Sequence, residues 1–173
     1  MRARMEAGSD FENITLLVGF DNVVAIGLRT DEYRRFEGKS IAEIALALGK
    51  DPYDALFDLL AAEKCEAGMI DYISDEEDLK AILRAPFSGV ISDATYPGAG
   101  QVHPRVYGAF ARLIETYVVR EKVLTLEQAV HKVTLQAAER FSLAGKGKIE
   151  AGADADLLLF APEKIRERGT YLT

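Results

Sequence analysis

Residues 69–92 constrain the fold of this chain more than any other stretch. Met69-Ile-Asp-Tyr-Ile73 reads as a strand. Ser74 and Glu77 then stand at capping-box spacing, and Leu79, Ile82 and Leu83 mark one helical face, with Pro86 just past its end. Gly89-Val-Ile-Ser92 reads as a second strand. Strand, helix and strand within 24 residues predict a βαβ crossover with parallel strands, so the expected class is α/β. Chemistry in such folds gathers at the carboxyl ends of strands, and Asp93 stands at one.

The flanking sequence supports the same class. The β-branched apolar runs Asn13–Val18 and Asn22–Ile26 read as strands joined by a turn. Ser40 and Glu43 form a capping box for a helix with Ile41, Ile44, Ala45 and Leu48 on one face and Gly49 at its stop. Asp51-Pro52 restarts a helix that runs to about Lys64, with the aspartate as N-cap and the proline in the first turn. After Asp93 a loop to Arg105 holds Pro97, Gly98, Gly100 and Pro104. Helices are expected over Tyr107–Val119 and behind the capping box Thr125–Gln128. The turn-rich stretch Gly145–Gly152 leads to an apolar strand at Leu157–Phe160, which has no obvious partner in the chain.

Composition then closes off several function classes. The chain has 173 residues, which fits one compact domain or a piece of a larger one. At 49% apolar residues it is not a disordered chain. A formal net charge of −7 argues against nonspecific binding to nucleic acid or an anionic membrane. No apolar run approaches the ~20 residues of a membrane span, and the charged start Met1–Glu6 does not read as a signal peptide. One cysteine, Cys65, allows no internal disulfide, which fits a cytoplasmic protein. The two histidines, His103 and His131, lie 28 positions apart, and no His-x-His or Cys-x-x-Cys occurs. No metal-ligating set is assigned within the chain.

Four stretches resemble the C-terminal part of the N-acyl-D-amino-acid deacylases (D-aminoacylases) of the amidohydrolase superfamily. They are Gly38–Ile44 with Gly49–Pro52, Ser74–Leu79 with Ile91-Ser-Asp93, His103-Pro-Arg105 with Tyr107–Phe110, and Gly147–Leu157. The resemblance spans roughly residues 10–168. It implies the last βα units of a TIM-like barrel over 10–144 and a partial β-sandwich segment over 145–173. It also implies a zinc hydrolase that cleaves the amide of N-acyl-D-amino acids. The family's metal ligands are an early His-x-His, a bridging cysteine and later histidines, and none has a counterpart here. Cys65 does not take the bridging role. The expectation is therefore a truncated or separately encoded portion, inactive and free of zinc on its own, that forms a homo-oligomer or joins a companion chain.

By the same resemblance Asp93 is the catalytic carboxylate. Zinc lowers the pKa of bound water to about 7, and a carboxylate in reach can take the proton and pass it to the leaving nitrogen. Arg105 matches the arginine that holds the substrate's α-carboxylate in a bidentate fork. His103 and Tyr96 complete the expected substrate-binding set. Ala94 stands where the family has glycine, and the loop Thr95–Val102 reads differently.

The residues also carry plainer readings. Asp93 suits a helix N-cap or a turn, Arg105 a surface ion pair, His103 a structural loop position, and Tyr96 core packing. His131 reads as a partly buried packing residue, Cys65 as an inert thiol near a helix end, and Asp75–Asp78 as an acidic first helical turn. The alternatives in function are a non-catalytic α/β module that self-associates or binds a partner, and a cyclic amidase of the same superfamily.

Overall fold

The computed structural model describes residues 2–7, 13–95 and 102–171. The chain divides into two compact units. One comprises Met1–Ile73, Thr95–His103 and Thr170–Thr173, and the other Ser74–Ala94 and Pro104–Gly169.

The first unit is built on an antiparallel strand pair, β1 (Val23–Ile26) and β2 (Gly68–Asp71), in register from Val23 opposite Asp71 to Ile26 opposite Gly68. Helices α1 (Arg2–Ala7), α2 (Ile14–Val18), α3 (Ile41–Leu48) and α4 (Pro52–Ala62) belong to the same unit. The Ser40–Glu43 capping box forms in both directions, and Gly49 ends α3 in the left-handed region at φ 65°. Asp51 caps α4 through Tyr53 N. The apolar faces of α3 and α4 close a core of Val23, Ala25, Leu28, Tyr33, Phe36, Ile41, Ile44 and Leu59. Burying a side chain such as Ile44 contributes about 1.5–3 kcal/mol.

Two expectations fail here. Residues 14–18 are helical, not extended, because the Asn13 side chain accepts from Thr15 N and turns the chain at once. β2 pairs with β1 in the antiparallel sense, so the βαβ crossover is not formed among the described residues.

The second unit is helical: α5 (Glu76–Arg84), α6 (Arg105–Arg112) with a π-helical continuation over Leu113–Arg120, α7 (Leu126–Val133) and α8 (Leu135–Arg140). Its core is Leu83, Leu113, Ile114, Tyr117, Leu124 and Ala129, with Val90, Phe160 and Ile165 packed against it. The Thr125–Gln128 capping box forms as expected.

The cap of α5 shifts by one residue. The Asp75 carboxylate accepts from Glu77 N and Asp78 N, and a charged acceptor at a helix N-terminus outcompetes the Ser74 hydroxyl. Residues 89–92 and 157–160 form no strand ladder among the described residues. Their apolar content satisfies strand propensity, but a ladder also needs a partner edge. Val90 and Phe160 pack inward, while Ile91 and Leu157, Leu158 and Leu159 are exposed.

Candidate functional site

Asp93 follows the irregular stretch 89–92 and adopts the left-handed region at φ 48°. Aspartate tolerates this conformation better than most residues, and such outliers gather at functional turns. Ser92 Oγ accepts from Ala94 N at 3.3 Å and tightens the turn. Twelve residues on, Arg105 opens α6, and its Nη1 stands 3.1 Å from Asp93 Oδ2. The Asp93 side chain is 71% exposed, so the pair itself adds about 0–1 kcal/mol to stability. It holds a carboxylate and a guanidinium together at the surface of one unit.

The start of α6 is braced by the tail of the same unit. A Cβ on Gly108 would lie 2.8 Å from Glu167 Oε1, and one on Gly169 would lie 3.2 Å from Pro104 Cβ, so glycine permits both approaches. Glu167 N donates to Glu115 Oε2 at 2.7 Å, and Arg112 Nη1 stands 3.8 Å from Glu167 Oε2. Burial pushes the Glu167 carboxyl above its ordinary value. Glu115 adds to that rise and Arg112 opposes it.

The other expected residues fall elsewhere. His103 is half-buried in the first unit, with its ring edge-on to Tyr171 at 5.2 Å. Tyr96 lies outside the described residues. Cys65 is exposed just past α4. His131 is exposed rather than partly buried, a correction with a geometric reason. It stands two residues beyond the buried Ala129, about 200° around the helix. Lys132, at i+3 from Ala129, turns inward instead and is 5% exposed. Sequence reading passed over this lysine, although its helical offset from Ala129 was available as a signal.

The Lys132 ammonium donates to Ala85 O at 2.6 Å, Ser88 O at 2.8 Å and Ser88 Oγ at 3.0 Å. Burial pushes its pKa below the ordinary lysine value. Gln136 Nε2 adds bonds to Pro86 O and Ser88 O, both at 3.1 Å.

Among the described residues, no three His, Cys, Asp or Glu side chains converge to hold a metal ion. The Asp93 carboxylate faces a guanidinium, not other ligands, so the chain's own described residues do not fit a zinc centre. Nor is any described helix long and apolar enough to cross a membrane.

Residues 22–169 match the model of the amidohydrolase family. The chain is 37% identical over 134 residues to the N-acyl-D-glutamate deacylase of Alcaligenes xylosoxydans xylosoxydans, covering 78% of this chain and 26% of the relative. It is 34% identical over 139 residues to the D-aminoacylase of the same organism, covering 80% and 28%. Among solved structures, the zinc- and phosphonate-bound N-acyl-D-glutamate deacylase of Bordetella bronchiseptica superposes with a TM-score of 0.78 at 31% identity, covering 91% of this chain and 32% of that one. A D-aminoacylase described by its binuclear metal centre superposes at 0.76 with 29% identity, covering 91% and 31%. The chain thus spans about a quarter of the length of the curated relatives it matches.

Proposed function

The chain belongs to the amidohydrolase family, and we propose that it is the C-terminal part of a deacylase that hydrolyses the amide of N-acyl-D-amino acids. On this reading residues 10–144 correspond to the last βα units of a TIM-like barrel. Residues 145–173 correspond to a segment of its small β-sandwich. The likeness to deacylases that carry metal supports a metal-dependent reaction in the complete protein. On this reading the metal's ligands lie outside this chain, whose sequence has no counterpart of the family's His-x-His or bridging cysteine, and no step is routed through it.

Asp93 and Arg105 supply the chain's own chemistry. The Asp93 carboxylate takes the proton of the attacking water and returns it to the leaving amide nitrogen. Arg105 binds the α-carboxylate of the substrate, for which a planar guanidinium is suited. The single observation that supports this division of labour is their 3.1 Å pairing, which sets the proposed proton carrier beside the proposed carboxylate-binding cation. His103 and Tyr96 are proposed to shape the loop beside the substrate.

The test is the pair Asp93→Asn and Arg105→Ala in the complete protein. General acid–base catalysis is worth 10²–10⁴-fold, so Asp93→Asn should lower kcat by about that factor. Arg105→Ala should raise KM for N-acetyl-D-amino acids and leave their carboxamide analogues unaffected. Wild-type kcat in the first variant refutes the reading. Turnover of hydantoins in place of N-acetyl-D-amino acids would reassign the protein to the cyclic amidases.

A second reading rests on the exposed Leu157-Leu-Leu159. A non-catalytic module that self-associates through this apolar segment would show concentration-dependent mass by light scattering, lost in Leu158→Glu.

A further inference from the structure

Lys132 is a buried cation whose hydrogen bonds run to one short segment. An ammonium has three donors, and all three are met by Ala85 O, Ser88 O and Ser88 Oγ. Among the described residues no carboxylate forms an ion pair with it, and burial alone accounts for the fall in its pKa. Such a charge is costly to bury. A methionine or leucine would fill the space without that cost, so packing does not account for a lysine here.

Its partners form the turn that ends α5, a turn also held by Ala85 N to Ile82 O at 3.1 Å and Ser88 N to Ala85 O at 3.2 Å. Ala85 is the C-cap of α5, where helix carbonyls lack intrahelical donors. Ser88 Oγ donates back to Ile82 O at 2.6 Å, and Gln136, the second residue of α8, donates to Pro86 O and Ser88 O. Beyond Ser88, residues 89–93 belong to no helix or strand, and Val90 packs against the core of the unit. The 85–88 corner is thus the point from which residues 89–93 leave α5, with Val90 packing and the Asp93–Arg105 pair holding them farther on.

We propose that Lys132, with Gln136, is a positioning residue. It fixes the Ala85–Ser88 corner from α7 and α8, so that the stretch beyond it delivers the Asp93 carboxylate to Arg105. The catalytic part of this claim rests on the role of Asp93 proposed above, whereas the clamp itself does not.

The experiment uses Lys132→Met in the full chain, read by amide hydrogen exchange and by kinetics of the complete protein. Exchange of the amides of residues 87–94 should accelerate on the order of tenfold, with α6 and α7 still protected. kcat should fall by up to about 10²-fold with KM little changed, as expected when a catalytic group is displaced by a change remote from it. Adding Asp93→Asn should then cost no more than Asp93→Asn alone, a non-additivity that a merely stabilising lysine would not produce. Unchanged exchange over 87–94, or additive losses, overturns the proposal. If Lys132→Met fails to fold, Gln136→Leu removes two clamp bonds and keeps the charge. It should give the same local acceleration to a smaller degree, and no acceleration there also overturns the clamp. Should Asp93→Asn keep full turnover while exchange responds as stated, the role of Asp93 fails and the clamp stands. Loss of turnover in Asp93→Asn with no effect of Lys132→Met on exchange or rate gives the reverse.

Discussion

Among the described residues each compact unit buries one charged side chain, and the two behave oppositely. In the first unit the Glu63 carboxylate, 4% exposed, accepts from Arg29 N at 2.9 Å, Thr30 N at 3.1 Å and Thr30 Oγ1 at 2.6 Å. Glu37 takes the two preceding amides, Gly27 N and Leu28 N, at 2.7 and 2.8 Å. Four successive backbone N–H groups thus end on two carboxylates. Burial pushes the Glu63 carboxyl up, but the bonds from Thr30 and the Arg29 and Thr30 amides outweigh it and hold it below its ordinary value. In the second unit Lys132 meets only neutral carbonyls and a hydroxyl, and burial wins. Both pKa values move down, yet the fold favours the charged form of Glu63 and disfavours that of Lys132. A buried charge that the fold rewards points to stability. One that it tolerates points to geometry wanted for another purpose.

The sharpest way to break this contrast is Glu63→Ala. It leaves the part-buried Arg29 and Thr30 amides and the Thr30 hydroxyl without their acceptor and should cost about 3–4 kcal/mol in urea denaturation of the chain. A cost below about 1 kcal/mol would mean that the loop at residues 27–30 does not depend on the carboxylate.

The pH dependence separates the two charges by sign. The Glu63 contribution is fully present above the unfolded carboxyl value of 4.5 and is lost as pH falls through the lower folded value. Glu63→Gln should flatten the acid limb of a stability–pH curve. Lys132 binds fewer protons folded than unfolded between its lowered value and 10.5, so its term makes stability rise with pH across that window. Lys132→Met should remove that rise, and an unchanged alkaline limb would contradict the assignment.

At fixed neutral pH, Lys132→Met should cost only about 1 kcal/mol, because relief of desolvation offsets the lost hydrogen bonds and Ala85 O and Ser88 O keep Ser88 N and Gln136 Nε2 as donors. A loss as large as that of Glu63→Ala would erase the distinction between the two regions. The smallest effect belongs to Asp93→Asn, within about 0.5 kcal/mol of wild type in the same denaturation, since asparagine also tolerates the left-handed φ and only an exposed ion pair is lost. Any larger destabilisation would make Asp93 a structural residue.

Much of the helical scaffold was legible because its signals are local. The boxes Ser40–Glu43 and Thr125–Gln128 close within three residues, as does the Asp51 cap, and each formed where its spacing put it. The left-handed stop at Gly49 follows from the same short-range rules. Extended segments were less legible. Asn22–Ile26 and Met69–Ile73 did yield strands, but the runs at 89–92 and 157–160 lack ladders, and 13–18 coiled into α2. Strand propensity says that a segment suits a pleated surface, not whether an edge is there to receive it. At the candidate site, the Asp93–Arg105 spacing was readable as a resemblance. The inward turn of Lys132 rather than His131 emerged only from the packing of α7.

The sequence by itself determined the family, the helix caps and the residue types present for chemistry, since these depend on identity and spacing over a few positions. Tertiary structure decided that β1 and β2 pair antiparallel, that Asp93 meets Arg105, and that Lys132 reaches back 47 residues to Ala85. The physical reason is range. A cap is satisfied by the chain's own next turn, whereas a ladder or a buried ammonium needs partners that only the folded packing can bring within 3 Å.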